Sequence, residues 1–174
     1  PVSPLLQGCN GLAVSADGRQ LYLGSQAGAE RCLVKVDLDG APPGTRPQDA
    51  WGALQGGDPR RAEVLFRHLS QEPSPPAGVW FGLGSTLHAR GAHAEAATHF
   101  ERAAADPAFV RDGSYNAACA HARGGQLDAA FRCLEAALRA GVDERHPWQA
   151  DDDLAALRDD PRWAALVQRH GQSG

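Results

Sequence analysis

The chain has 174 residues, of which 43% are hydrophobic, with a formal charge of −4 and an isoelectric point near 6.0. This length predicts one domain, or one domain with a small appendage, and the apolar fraction is sufficient for a hydrophobic core. No stretch approaches the roughly 18 apolar residues of a membrane-spanning helix, and the lack of a basic surface makes nucleic acid a poor partner.

The first 40 residues carry the pattern of short strands. Apolar runs at 11–15, 20–24 and 32–38 are separated by turn-forming residues, including Asp17-Gly18, a typical hairpin turn. We predict a β-meander of three strands over 1–40. Proline and glycine dominate 41–47, which we interpret as a linker. No signal peptide is predicted at the start, so the expected compartment is the cytoplasm, with the periplasm as the alternative.

Residues 48–144 contain a repeat with a period of 34 residues. A glycine, a small residue five positions later and a bulky residue four positions beyond that recur three times. They are Gly57, Ala62 and Phe66, then Gly91, Ala96 and Phe100, then Gly125, Ala130 and Leu134. This period is typical of helix–turn–helix arrays, in which glycine ends the first helix of a pair and alanine lets neighbouring helices approach.

The middle repeat matches a known family pattern. Its members are Trp80, Leu83-Gly84, Leu87, Gly91, Ala96, Phe100, Ala103 and Pro107. Residues 77–110 therefore resemble a tetratricopeptide repeat, and the likeness extends more weakly over about 43–170. It implies a mainly α fold, a right-handed superhelix of three helical pairs preceded by the β-meander. We expect helices at 48–55, 59–71, 77–90, 93–105, 113–123, 127–140, 151–157 and 161–169.

Residues 145–174 keep an apolar stripe but lose the repeat. A terminal unit of a helical array must cover the exposed face of the last repeat, so we interpret this segment as capping helices and a tail. The run from Asp151 to Asp153 is interpreted as a partner of a helix N-terminus rather than as metal ligands.

The resemblance to tetratricopeptide repeats also implies a binding surface. In that family the first helix of each pair lines a concave groove that holds a peptide or a partner helix. The corresponding residues are Trp51, Phe81, Ser85, His88, Tyr115, Asn116, Cys119 and Arg123. For Trp51, Phe81 and Tyr115 an ordinary place in the core is the alternative. The predicted function is a non-catalytic protein-interaction module, and a structural homo-oligomer is a further alternative.

The β segment suggests a second function. Residues 1–40 resemble one blade of a β-propeller of the gluconolactonase and strictosidine-synthase-like group, in which Asn10 would match a metal ligand. The other ligands of that group have no candidate positions here, so no metal is predicted. The alternative function is the C-terminal adaptor portion of a larger propeller enzyme or sensor.

Motifs for catalysis were not found. The sequence contains no dinucleotide-binding or phosphate-binding glycine loop, no nucleophile elbow and no zinc-protease motif. No enzyme activity and no cofactor are therefore predicted. The seven histidines are interpreted as surface residues, and the four cysteines as reduced thiols, with a Cys119–Cys133 disulfide as the alternative.

Overall fold

A computed structural model describes residues 9–14, 20–25, 32–37, 44–142 and 147–170. The chain divides into two compact units, Pro1–Thr45 and Arg46–Gly174. The prediction of a mainly helical fold is confirmed. Among the described residues, no helix has the length and apolar character needed to cross a membrane. The predicted turn at Asp17-Gly18 and positions 41–43 of the predicted linker lie outside the described residues.

The first unit contains a three-stranded antiparallel sheet. Its strands are β1 (Cys9–Val14), β2 (Gln20–Ser25) and β3 (Cys32–Asp37), and they lie in the order β1-β2-β3. Leu23 in the central strand is paired with Leu12 on one side and with Val34 on the other. The register between β1 and β2 shifts between Cys9 and Gly11, the irregularity that a β-bulge produces.

The second unit begins with six helices arranged as three pairs. They are α1 (Pro47–Gln55), α2 (Pro59–Leu69), α3 (Ala77–Ala89), α4 (His93–Ala104), α5 (Val110–Arg123) and α6 (Leu127–Arg139). Among these six helices, the largest departure from the expected bounds is at α5, which begins at Val110 rather than at Gly113. Gly113 is inside the helix because α5 passes close to α4 there. A Cβ at this position would lie 2.8 Å from the backbone nitrogen of Ala104.

The three repeated glycines occupy equivalent turns between the helices of each pair. Gly57, Gly91 and Gly125 have φ angles of 78°, 81° and 74°, the left-handed conformation that favours glycine. In each turn the amide after the glycine donates to a carbonyl five residues earlier, as from Asp58 to Ala53 at 2.9 Å. The glycine amide donates to the carbonyl three residues before it. This is the Schellman ending of a helix, formed three times.

The residues that recur with these glycines form the core. The alanines at 62, 96 and 130 have no exposed surface, and the bulky Phe66, Phe100 and Leu134 are at most 1% exposed. Glycines in α3 make room for two of the rings. A Cβ at Gly82 would lie 2.2 Å from Phe66, and one at Gly84 would lie 2.8 Å from Phe100. The glycines thus let neighbouring helices pack more closely than any side chain would allow.

The C-terminal segment folds over the last pair. It contains short 3₁₀ turns at Trp148–Ala150 and Asp152–Leu154, followed by α7 (Ala155–Arg158) and α8 (Pro161–His170). The second turn contacts α5, and α7 contacts both α5 and α6. Leu154 and Leu157 are fully buried, and Trp148 is buried beside the ring of Trp163 at 5.2 Å. These are the contacts expected of a segment that covers the last repeat.

A buried histidine stacks on the tryptophan of the middle repeat. The rings of Trp80 and His99 are nearly parallel, 5.6 Å apart, and the Arg102 guanidinium lies 4.8 Å from the Trp80 ring. The His99 side chain is only 12% exposed, and its Nδ1 has no hydrogen-bond partner among the described residues. Burial lowers the pKa of His99 below its ordinary value. This corrects the prediction that the histidines are surface residues.

The stability of the chain should therefore decrease on mild acidification. A histidine whose pKa is lowered in the folded state favours folding fully above its unfolded pKa, about 6.5. That contribution is lost as the pH falls below this value towards the folded pKa. We expect the urea midpoint to fall less between about pH 7.5 and 5.5 in His99→Gln than in the wild type. The difference between the two urea midpoints at pH 8, where the histidine is neutral in both states, gives the cost of the lost stacking on Trp80. An equal fall of the urea midpoint with pH in both proteins would contradict the prediction.

Candidate peptide-binding groove

A pocket of about 420 Å³ lies between α3, α5 and the C-terminal segment. Its lining residues are Phe81 and His88 from α3, Arg111, Asp112, Tyr115, Asn116 and Cys119 from α5, and Val142, Asp151 and Asp153 from beyond α6. Five of the eight residues predicted for the groove are among them: Phe81, His88, Tyr115, Asn116 and Cys119. The first helices of the second and third pairs thus contribute to one cavity.

At one wall of the pocket, Asp151 connects the C-terminal segment to α5. The Tyr115 hydroxyl donates a hydrogen bond to Oδ2 of Asp151 at 2.5 Å, and the amide of Asp153 donates to Oδ1 at 2.9 Å. Burial raises the pKa of Tyr115 above its ordinary value, and the hydrogen bond to Asp151 adds to this shift. Tyr115 is therefore a neutral donor that ties α5 to the C-terminal segment.

The second aspartate of this wall, Asp153, lies between a histidine and an arginine. Oδ2 of Asp153 is 2.9 Å from Nε2 of His88, and its Oδ1 is 3.6 Å from Nε of Arg123. His88 also contacts His93 at the next turn, with 3.3 Å between their Nδ1 atoms. Because α3 supplies His88 and α5 supplies Arg123, these contacts position the carboxylate of the C-terminal segment at the rim of the pocket.

Three predicted groove residues lie elsewhere. Trp51 packs edge-on against Phe66 at 5.2 Å and stacks on Phe81 at 6.4 Å, so it belongs to the aromatic contacts between α1, α2 and α3. The Ser85 hydroxyl donates to the carbonyl of Phe81 within its own helix at 2.9 Å. Arg123 reaches the pocket only through Asp153.

Phe81 has two roles. It lines the pocket, and its ring also contacts Phe100 at 5.4 Å and Phe109 at 5.5 Å. Truncation of this side chain would remove aromatic contacts with three neighbouring helices or turns and leave a cavity. A substitution of Phe81 would therefore change folding as well as binding. Substitutions of polar lining residues can test binding by itself.

The remaining lining residues were missed by the sequence analysis. Arg111 and Asp112 precede the expected start of α5, so they were placed outside the helix. The aspartates at 151 and 153 were interpreted as helix-capping residues. Asp151 does cap the 3₁₀ turn, but this segment also returns to α5 and brings both carboxylates to the groove. The run of three aspartates was the available signal for an acidic site. The sequence of this run does not indicate which helix it contacts.

The pocket is acidic and its thiol is not activated. Three carboxylates and one guanidinium are among its lining residues, and that guanidinium, Arg111, is 2.7 Å from Asp112. Burial raises the pKa of Cys119, and the nearby Asp151 adds to this shift. A buried thiol with a raised pKa is a poor nucleophile at neutral pH. Cys119 and Cys133 are both free thiols, so the alternative of a disulfide between them is wrong.

Comparisons with known proteins give no match: no protein-family model fits the chain, and no curated protein or solved structure is significantly similar to it.

Proposed function

We propose that the helical unit is a non-catalytic protein-interaction module, which binds an extended peptide in the groove between α3, α5 and the segment 147–154. We further propose that its three pairs form a right-handed superhelix of the tetratricopeptide type, which the three equivalent glycine turns support. The observation that carries the functional proposal is a pocket that combines aromatic rings with an excess of carboxylates.

The charges of the groove favour a peptide with a basic side chain. Asp112 is paired with Arg111. Asp151 and Asp153 reach the cavity from the C-terminal segment, where Asp153 also contacts Nε2 of His88 at 2.9 Å. The contact of Asp153 with Arg123 is long, at 3.6 Å. A guanidinium or ammonium group of a ligand can approach this wall more closely and form charge-assisted hydrogen bonds. The rings of Phe81 and Tyr115 then contact the aliphatic part of that side chain.

The size of the pocket limits what it can hold. A volume of about 420 Å³ is at the lower end of the range for small-molecule pockets, and it suits one or two side chains rather than a whole helix. An occupant of this size anchors a peptide at one point and leaves the flanking residues on the surface. We therefore expect modest affinity, dominated by the basic anchor.

The experiment is a peptide selection with an isosteric charge variant. A displayed library of random peptides is selected on the whole chain, and recovered peptides are measured by fluorescence polarisation. We expect an arginine or lysine to be common to the selected peptides. Their affinity should fall by about tenfold or more in Asp151→Asn/Asp153→Asn, because each charge-assisted hydrogen bond contributes roughly 1.5 to 3 kcal/mol.

The control is Asp152→Asn in the same turn. Asp152 is exposed and is not among the lining residues, so its substitution removes one charge without changing the groove. Asparagine retains the hydrogen-bond acceptor that caps the turn, so the double variant should keep the fold. Selected peptides without a basic residue, or equal binding to the wild type and the double variant, would contradict the proposal.

A further inference from the structure

A second cluster of polar side chains lies outside the groove, where α4, α5 and α6 meet. Glu101, His121 and Cys133 each come from a different one of these helices, and their ligand atoms all lie within 4.8 Å of one another. His121 and Cys133 are each 8% exposed, whereas the Glu101 side chain is 45% exposed. The cluster is therefore closed on the protein side and open to solvent on the other.

Two distances within the cluster are close to the edges of a tetrahedral metal site. Oε1 of Glu101 is 3.0 Å from Nε2 of His121 and 3.6 Å from Sγ of Cys133. Ligands bound to Zn²⁺ at about 2.0 to 2.3 Å in tetrahedral geometry lie roughly 3.3 to 3.6 Å from one another. A cation can therefore enter between these three atoms after only small movements of the side chains.

The orientation of the His121 ring also favours a metal. Its Nδ1 lies 2.6 Å from Oε1 of Gln126, and its Nε2 lies 3.0 Å from Oε1 of Glu101. When Nδ1–H donates to Gln126, the neutral ring has a lone pair on Nε2 with which it can bind an ion placed between Nε2 and Glu101. Metal-bound histidines typically have this arrangement, in which the outer nitrogen is held by an oxygen and the inner one binds the ion.

We propose that Glu101, His121 and Cys133 bind a divalent transition-metal ion of the Zn²⁺ class, with a fourth position open to solvent. A thiolate and an imidazole select Zn²⁺ over Mg²⁺ or Ca²⁺, which prefer oxygen ligands. The open position faces a shallow pocket lined by Glu101, His121, Gln126 and Arg132. Because the three ligands come from three helices, the ion links the second pair to the third.

Binding of the ion releases a proton and is opposed by nearby arginine. Burial raises the pKa of Cys133 to about 11, and Glu101 adds to this shift, so the ion must replace the thiol proton, which leaves to solvent. Glu101 faces the thiol from α4 and His121 from α5. Arg132 of α6 lies 3.9 Å from Glu101. Arg162 lines the same pocket but pairs with Asp128 at 2.6 Å.

The test uses Co²⁺ as a spectroscopic probe and Zn²⁺ as its competitor. The whole chain is treated with a chelator, dialysed and titrated with Co²⁺. We expect about one equivalent to bind, with the near-ultraviolet charge-transfer band of a thiolate ligand and visible bands of tetrahedral Co²⁺, all displaced by Zn²⁺. Binding should weaken as the pH is lowered. Arg132→Gln should strengthen it, because a like charge beside the ion is removed.

Two ligand variants and one control identify the site. Cys133→Ser should abolish the charge-transfer band, and Glu101→Gln, at a half-exposed position that preserves the fold, should weaken Co²⁺ binding by about tenfold or more. Cys119→Ser removes a buried thiol of the same helical unit outside the cluster, and this variant should bind Co²⁺ like the wild type. The proposal is overturned if no thiolate band forms, or if the band persists in Cys133→Ser.

Discussion

Gly82→Ala should lower the free energy of unfolding by about 3 kcal/mol, the upper part of the usual range for overpacked cores. The added Cβ would lie 2.2, 2.4 and 2.8 Å from three atoms of the Phe66 ring. Phe66 has no exposed surface and also packs against Trp51, so its ring cannot move aside freely. Alanine gains up to about 1 kcal/mol of helix propensity over glycine, which is too small to offset this clash.

Gly52→Ala is the matched control. Gly52 lies in α1, is exposed, and has no atom within 4 Å of an added Cβ. This substitution should stabilise the chain by about 0.5 to 1 kcal/mol, because alanine is the better helix former. Urea unfolding followed by circular dichroism measures both variants. If Gly82→Ala were as stable as the wild type, α3 could not approach α2 as closely as described.

Trp148→Ala should cost about 3 to 5 kcal/mol, the usual range for truncation of a buried tryptophan. Trp148 is 5% exposed and packs edge-on against Trp163, so its loss leaves a cavity beneath the C-terminal segment. This segment also contributes Asp151 and Asp153 to the groove. The proposed function depends on these two carboxylates, so the substitution should weaken peptide binding even though Trp148 itself does not line the pocket.

Hydrogen exchange followed by mass spectrometry can localise this effect. Exchange should increase in 147–170 and in the part of α5 that it covers, while α3 and α4 stay protected, because unfolding in helical arrays is nearest-neighbour in character. Val110→Ala is the control: this apolar side chain is 38% exposed, so its loss should change stability by at most about 0.5 kcal/mol. Uniform loss of protection across all helices would contradict a locally attached cap.

The helical pairs were predictable because each depends on nearby residues. A glycine in the left-handed conformation, a small residue one turn into the next helix and a bulky residue beyond it set both the turn and the packed face. Gly57, Gly91 and Gly125 form their turns with hydrogen bonds that span only five residues. The resemblance of the middle repeat to a known family led to the eight predicted groove residues, and five of them line the pocket.

Two features could not be predicted in this way. They are the wall of the groove that the C-terminal segment forms and the cluster of Glu101, His121 and Cys133. Asp153 meets His88 across 65 positions, and Glu101 meets Cys133 across 32. Such contacts depend on how far each helix extends and on the path of the C-terminal segment, which no local pattern specifies. Short-range periodicity is therefore enough for the helices and their turns, whereas the chemistry at their junctions arises from packing between elements distant in the chain.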